Sequence, residues 1–169
     1  MDKRRIDRLL SDVQEGSGEA FEALYREARN AVFSFLYSYY QNYHDAEDAM
    51  QSVFLKVKLR IGQYTPGTNG SAWLLQIAKH HALDELRARR PSVALDEAPE
   101  GFEPFEDGGI MDLMRRTLSE EEQRVVTMHV LWGWKHRQIA KALDCPTGTV
   151  TSKYKRALEK LKKAVKEVL

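Results

Sequence analysis

Side chains able to make or break bonds are few in this chain, and their spacing does not suit the task. His80 and His81 lie beside Asp84 and Glu85, and His44 lies beside Asp45, Glu47 and Asp48, so either group invites a metal or proton-transfer reading. Neither has a recognised ligand spacing, and histidines dispersed on helices usually pack or stay solvated. Cys145 is the single cysteine, which excludes an internal disulfide and a multi-cysteine metal cage and fits a reducing compartment. It sits in a turn, where packing of a small side chain is the simpler role. Catalysis, a metal and a cofactor are therefore not expected. The residues near the C-terminus suit recognition better. Thr147, Thr149, Ser152, Lys153 and Arg156 fall on one expected helix; hydroxyls can bond base edges or phosphates, and arginine can give guanine two parallel hydrogen bonds. Arg124, Lys135, His136 and Arg137 lie just upstream and suit phosphates.

Such residues reach a duplex only if a scaffold presents them. Lys135 to Leu143 and Thr147 to about Val168 read as two helices separated by Asp144-Cys145-Pro146, the layout of a helix-turn-helix. Ile139, Ala140 and Leu143 share one face, small Ala140 lets the second helix cross closely, and Val150 and Tyr154 supply the opposing face. Pro146 cannot continue the first helix, while Thr147 can cap the second. Asp144 stands where such turns favour glycine, because the backbone there tends toward positive φ; aspartate tolerates this better than most residues, at some cost. A helical hairpin with a merely solvated basic face is the alternative.

The chain has 169 residues, 43% hydrophobic and 30% charged, enough apolar content for a soluble packed core. No apolar run approaches the roughly 18 to 20 residues that span a bilayer, and Met1-Asp2-Lys3-Arg4-Arg5 leads into no apolar stretch, so neither membrane insertion nor a signal peptide is expected. The net charge is only +1, but its distribution is uneven. Asp96, Glu97, Glu100, Glu103, Glu106, Asp107 and Asp112 occupy a stretch without lysine or arginine, whereas the last twenty residues carry Lys153, Lys155, Arg156, Lys160, Lys162, Lys163 and Lys166 against Glu159 and Glu167. Segments of such opposite charge point to different partners.

Elsewhere the pattern is helical. A short lead helix carries Ile6, Leu9, Leu10 and Val13. A long one from Glu19 to about Tyr40 buries a stripe including Leu24, Ala28, Val32, Phe35 and Leu36. The next, His44 to about Ile61, turns Ala46, Met50, Val53, Phe54 and Val57 inward. Gly62 to Gly70 reads as a loop, and Ser71 is the expected N-cap of a helix through Trp73, Leu74, Ile77, Ala78 and Leu86 that ends before Pro91. Residues 91–109 carry three prolines and three glycines and read as a flexible acidic linker. Ile110 to Leu118 is a short helix, and Ser119-Glu120-Glu121-Glu122 opens another with a capping box. The fold class is all-α: two small helical domains, 1–90 and 110–169, tied by that linker.

Three motifs, in order, resemble the sigma factors of bacterial RNA polymerase, extracytoplasmic-function group. Asp45 through Phe54 resembles the acidic polymerase-docking helix that ends in Gln, an aliphatic residue and Phe. Tyr64-Thr65-Pro66-Gly67-Thr68-Asn69 with Ala72-Trp73-Leu74 and Ile77-Ala78 resembles the promoter-melting loop and helix. Glu121 to Leu161, with Gln138-Ile139-Ala140 and Gly148-Thr149-Val150, resembles the promoter-reading domain. Together the matches cover nearly the whole chain apart from the lead helix and linker.

The resemblance implies a cytoplasmic, non-enzymatic transcription initiation factor built from sigma domains two and four. Asp45, Glu47, Asp48, Gln51 and Phe54 would meet the clamp helices of the beta-prime subunit of core RNA polymerase, whose beta-subunit flap is a further implied partner. Tyr64, Thr68 and Asn69 would line a pocket for an unstacked base of the minus-10 element, with Lys79, His80, Arg87, Arg89 and Arg90 along the strand. His80 stands where the family often has Asn. Trp73 fits packing better than stacking on a base. Arg124, Lys135, His136, Arg137, Thr147, Thr149, Ser152, Lys153 and Arg156 would read the minus-35 element. An anti-sigma factor is the implied regulator, and the linker is either an inert tether or a nucleic-acid mimic inside the polymerase. A stand-alone helix-turn-helix regulator, which would bind its operator tightly without polymerase, is the competing function.

Overall fold

Three helices surround a fourth in the N-terminal part of the chain, and the burial along that fourth helix explains the arrangement. The computed structural model describes residues 1–89 and 109–168. In it, α2 (Gly18–Tyr40) packs against α1 (Lys3–Gln14), α3 (Tyr43–Arg60) and α4 (Gly70–Ala88). Every residue from Ala31 to Ser38 is buried, so this stretch is interior on all sides rather than along the single expected stripe. That follows from Phe33 and Tyr37, whose rings stack with each other at 5.9 Å; against Tyr43 of α3, Phe33 stacks at 6.1 Å and Tyr37 lies tilted at 4.9 Å. A helix apolar all round needs neighbours all round.

Short polar residues set the helix starts. The side chains of Asp2, Ser17, Asn42 and Asn69 accept backbone N–H bonds at the heads of α1 to α4. Asn69 thus takes the cap expected of Ser71, which is fully buried and donates its hydroxyl to Asn69 Oδ1 at 2.9 Å. Between α3 and α4 the chain makes one short 3-10 turn, Ile61–Gln63, before the loop.

The chain divides into two compact units, Met1–Pro99 and Glu100–Leu169. Arg90 and nearly all of the linker expected over 91–109 lie outside the described residues. Among the described residues every regular element is helical, and no helix is long and apolar enough to cross a membrane.

The second unit contains α5 (Ile110–Thr117), α6 (Glu120–Val130), α7 (His136–Ala142) and α8 (Thr147–Val168). Trp132 and Trp134 sit edge to face at 6.3 Å, both buried, in the corner between α6 and α7, where Gly133 adopts φ 68. Met114, Leu118, Val126 and Ala157 form a cluster joining α5, α6 and α8, with Tyr154 and Leu161 against it. The expected capping box is present: Ser119 Oγ accepts from the Glu122 N–H at 3.2 Å, and Glu122 accepts from the Ser119 N–H at 3.0 Å.

Glu122 also takes both bonds of the Lys160 ammonium, at 2.8 and 2.9 Å, while its side chain is only 7% exposed. Burial alone would raise this carboxyl, but the bonds from Lys160 and the Ser119 backbone more than offset it and leave it below its ordinary value of 4.5. A carboxyl depressed in the folded state stabilises fully above its unfolded value and loses that contribution as pH falls through the folded one. Circular-dichroism melts of the whole chain should therefore show the transition of the second unit falling as pH drops below about 5. Glu122→Ala should remove about 2 kcal/mol at neutral pH and flatten that acid dependence.

Candidate functional site

The helix-turn-helix is built as its residues require. Ile139 and Ala140 of α7 and Val150 of α8 are buried where the two helices cross. Asp144 holds φ 53, the left-handed backbone expected of that turn position. Thr147 is the first residue of α8 rather than its cap, and the Pro146 carbonyl accepts from Thr149 and Val150 instead. On α8, burial at Val150 and Ala157 turns Thr147, Ser152, Lys155 and Arg156 outward as exposed side chains, with Thr149 half-buried beside them. Lys155 belongs to this face although the sequence did not single it out.

Two other expected contacts are placed differently. Lys153 leans toward α6 and pairs with Glu121 at 2.5 Å, and its side chain is 22% exposed. His136 closes a three-ring cluster with His129 at 4.9 Å and Tyr154 at 5.0 Å, and its Nδ1 meets Thr151 Oγ1 at 3.1 Å. Burial and the neighbouring His129 lower its pKa, so at neutral pH it offers a phosphate no full charge. Arg137 and Lys135 are exposed at the start of α7, and Arg124 is half-buried on α6.

In the first unit, the loop after α3 exposes Thr65, Pro66, Gly67, Thr68 and Asn69 but turns Tyr64 inward. Tyr64 is 3% exposed, its ring lies 5.2 Å from that of Trp73, and its hydroxyl donates to Asp7. Trp73 is half-buried in this contact, in line with packing. The oxygen of Asn69 is engaged by the Ala72 N–H and the Ser71 hydroxyl, which leaves its NH2 group as the donor it can present to a ligand.

Along α4, His80 and Arg87 are exposed and Lys79 is half-buried. Arg89 is held between Asp45 Oδ2 at 2.7 Å and Glu85 Oε1 at 2.8 Å, over the ring of Tyr40 at 5.3 Å. Glu85 also accepts from Tyr40 at 2.5 Å, and His81 lies between Lys56 at 2.8 Å and Glu85 at 3.2 Å. Desolvation, then the Lys56 charge, lower the pKa of His81. Among the described residues no group of three or more His, Cys, Asp or Glu stands ready for a metal ion.

The outward face of α3 carries His44, Asp48, Gln51, Leu55, Lys58 and Leu59, all exposed, with Asp45 and Glu47 half-buried at its flanks. Phe54 is not on it. Its ring is 3% exposed and packs edge-on against Tyr25 at 4.9 Å. The apolar groups this face does present are Leu55, 58% exposed, and Leu59, 75% exposed.

These surfaces fall within segments of known kind. Residues 24–91 match Sigma-70 region 2, and residues 110–161 match Sigma-70, region 4. The chain belongs to the extracytoplasmic-function sigma factors. The ECF RNA polymerase sigma-E factor of Escherichia coli strain K12 is 29% identical to it, over 100% of this chain and 99% of that protein. The ECF RNA polymerase sigma factor SigC of Mycobacterium tuberculosis is 26% identical, over 95% and 91%. Among solved structures, CnrH in complex with the cytosolic domain of CnrY shares the fold with a TM-score of 0.63 at 20% identity, over 98% of this chain and 99% of that one. The sigma factor RpoE of Bartonella quintana, in complex with the anti-sigma factor NepR, gives 0.61 at 20% identity, over 86% and 96%.

As a sigma factor the chain is a transcription initiation factor, and its side chains sort accordingly. Five residues with an expected binding role, Phe54, Tyr64, Arg89, His136 and Lys153, are engaged within the fold, and helical phase alone would have found the first. Burial of Val53 and Val57 on either side of Phe54 fixes its direction, and leaves the next residue, Leu55, outside.

Proposed function

We propose that this sigma factor docks on core RNA polymerase through the outer face of α3, captures the non-template strand of the minus-10 element through the loop before α4, and reads the minus-35 element through α8. It would do so in the cytoplasm, where the polymerase works. The observation that carries this reading is the exposed row Thr147, Ser152, Lys155 and Arg156 on the second helix of a helix-turn-helix, the face that such a unit inserts into the major groove. Arg156 is the residue suited to guanine, with Thr149 and Ser152 as adaptable partners and Lys135, Arg137 and Arg124 near phosphates.

On α3 the docking set becomes Asp48, Gln51 and Leu55, with Asp45 and Glu47 at the edge; Leu55 and Leu59 supply the apolar contact in place of Phe54. Around the loop, Thr68 and the Asn69 NH2 group are the polar edges offered to a flipped base, with Lys79, His80 and Arg87 along the strand and Arg89 available once its ion pairs open. An anti-sigma partner is supported by the solved RpoE of Bartonella quintana, which is in complex with the anti-sigma factor NepR. The proposed domain limits stay at 1–90 and 110–169, with 91–109 as the tether.

Reconstituted transcription tests the assignment. Core polymerase with this chain should initiate at a subset of a randomised promoter library, and the chain alone should bind the same duplexes weakly. Tight operator binding without polymerase, unchanged on adding it, would instead identify a stand-alone regulator.

A further inference from the structure

The lead helix α1 lies outside the Sigma-70 region 2 match, which begins at residue 24. It nevertheless makes four hydrogen bonds to the segment that carries the exposed loop. Asp7 Oδ1 accepts from the Tyr64 hydroxyl and from the Gly67 N–H, the latter at 3.1 Å. About two turns further along α1, the Gln14 amide donates to two carbonyls of the same segment, Ile61 at 2.9 Å and Tyr64 at 2.8 Å. The bonds thus hold the loop at its start, its middle and the residue with φ 81 at Gly67, where the chain reverses. A third contact is steric: a Cβ on Gly70 would meet Leu10 Cδ1 at 2.9 Å and Asp7 Cα at 3.2 Å, so α4 starts directly against the backbone of α1.

The rest of α1 serves as a fixed base. Ile6, Leu10 and Val13 are buried, and Arg5 pairs with Glu27 of α2 at 2.5 Å. The Tyr64 hydroxyl remains a donor at any physiological pH, since burial, then its bond to Asp7, push its pKa up to about 12. The loop keeps residues 65–69 exposed after these bonds are made. Among them Thr68, whose hydroxyl donates to the Thr65 carbonyl at 2.6 Å and keeps its oxygen lone pairs, and Asn69, with its free-facing NH2 group, are the polar groups at its end.

We propose that α1 is a positioning element for strand capture, in which Asp7 and Gln14 hold residues 61–70 in the shape that presents Thr68 and Asn69 to an unstacked base. This rests on the strand-capture role proposed above. Neither residue touches the base; each acts through Tyr64, Gly67 and the two carbonyls. Pre-forming the loop spares the complex the ordering that a free loop would need when the base arrives. A displaced binding group costs far more than its distance suggests, so the effect should fall on opening and leave docking alone.

The test uses the full chain with core polymerase on a template selected from a randomised promoter library, read by permanganate reactivity of thymines in the opened segment. Core affinity, binding to the duplex upstream half and the melting temperature are measured on the same preparations. Asp7→Ala and, separately, Gln14→Ala should lower opening about tenfold, with core and upstream binding unchanged. Asp7→Asn should restore opening to within about threefold, because a carboxamide oxygen can accept both bonds. Equal opening by wild type and Asp7→Ala overturns the proposal. So does a loss shared equally by core affinity and upstream binding, or an Asp7→Asn variant no better than alanine. A wild-type chain that opens no template with polymerase would instead remove the strand-capture role itself.

Discussion

Replacing Asp48, Gln51 and Leu55 together with alanine should weaken association with core RNA polymerase by about 100-fold or more, while the melting temperature of the chain stays within a few degrees of the unaltered protein. All three side chains are exposed on one face of α3, so their loss removes surface and leaves the core intact. Truncating an interface anchor that becomes fully desolvated costs about 2 kcal/mol or more, and Leu55, 58% exposed between polar acceptors, is the apolar group of this face that docking would desolvate. Phe54→Ala should behave in the opposite way. Its ring is buried against Tyr25, and emptying that space should cost about 3 to 5 kcal/mol of stability. Polymerase affinity measured well below the lowered melting temperature should then change little. Fluorescence anisotropy for binding and calorimetry for stability separate the two; if Phe54→Ala abolishes binding at full stability, the α3 face has been assigned to the wrong side chains.

The second large effect is expected on upstream promoter reading. Arg156→Ala should lower affinity for the selected minus-35 duplex by about 10- to 100-fold and relax base preference at one position. Lys135→Ala should weaken all duplexes alike and reduce the salt dependence by about one unit of slope. Lys153 gives a finer test, because in the free chain it is paired with Glu121. The Glu121 carboxyl lies below its ordinary value because Lys153 donates to it and stands beside it. Removing that competitor with Glu121→Ala should free the ammonium for phosphate and tighten duplex binding, most visibly at low salt. Electrophoretic mobility shifts at two ionic strengths would show it; weaker binding after Glu121→Ala would mean that Lys153 needs its partner to be placed.

Periodicity made most of the helices readable, since amphipathic stripes such as Ile6, Leu9, Leu10 and Val13 state their own direction. The turn at Asp144 was readable too, because few residue types suit a positive φ and the flanking helices leave only that position for it. Resemblance supplied the family, and at Phe54 it conflicted with helical phase: residue spacing turned the ring inward, and the structure agrees with the spacing. What the sequence hid were contacts made across elements. Asn69 rather than Ser71 caps α4 because Gly70, pressed on α1, starts the helix two residues earlier than a hydroxyl scan suggests. Tyr64 is interior only because Asp7 lies 57 residues away in sequence and opposite it in space. Arg89 and Lys153 read as free cations until their carboxylate partners, Asp45 and Glu121, are placed beside them.

The bridge from Arg89 to Asp45 also binds together the thermodynamics of two events. Its side chains are 37% and 34% exposed, so breaking it costs no more than about 1 kcal/mol. If polymerase claims the carboxylate and the melted strand claims the guanidinium, each visitor must part the same pair, and whichever comes second finds it already parted. Affinity for one must then rise in the presence of the other by up to about fivefold, by equal factors in both directions.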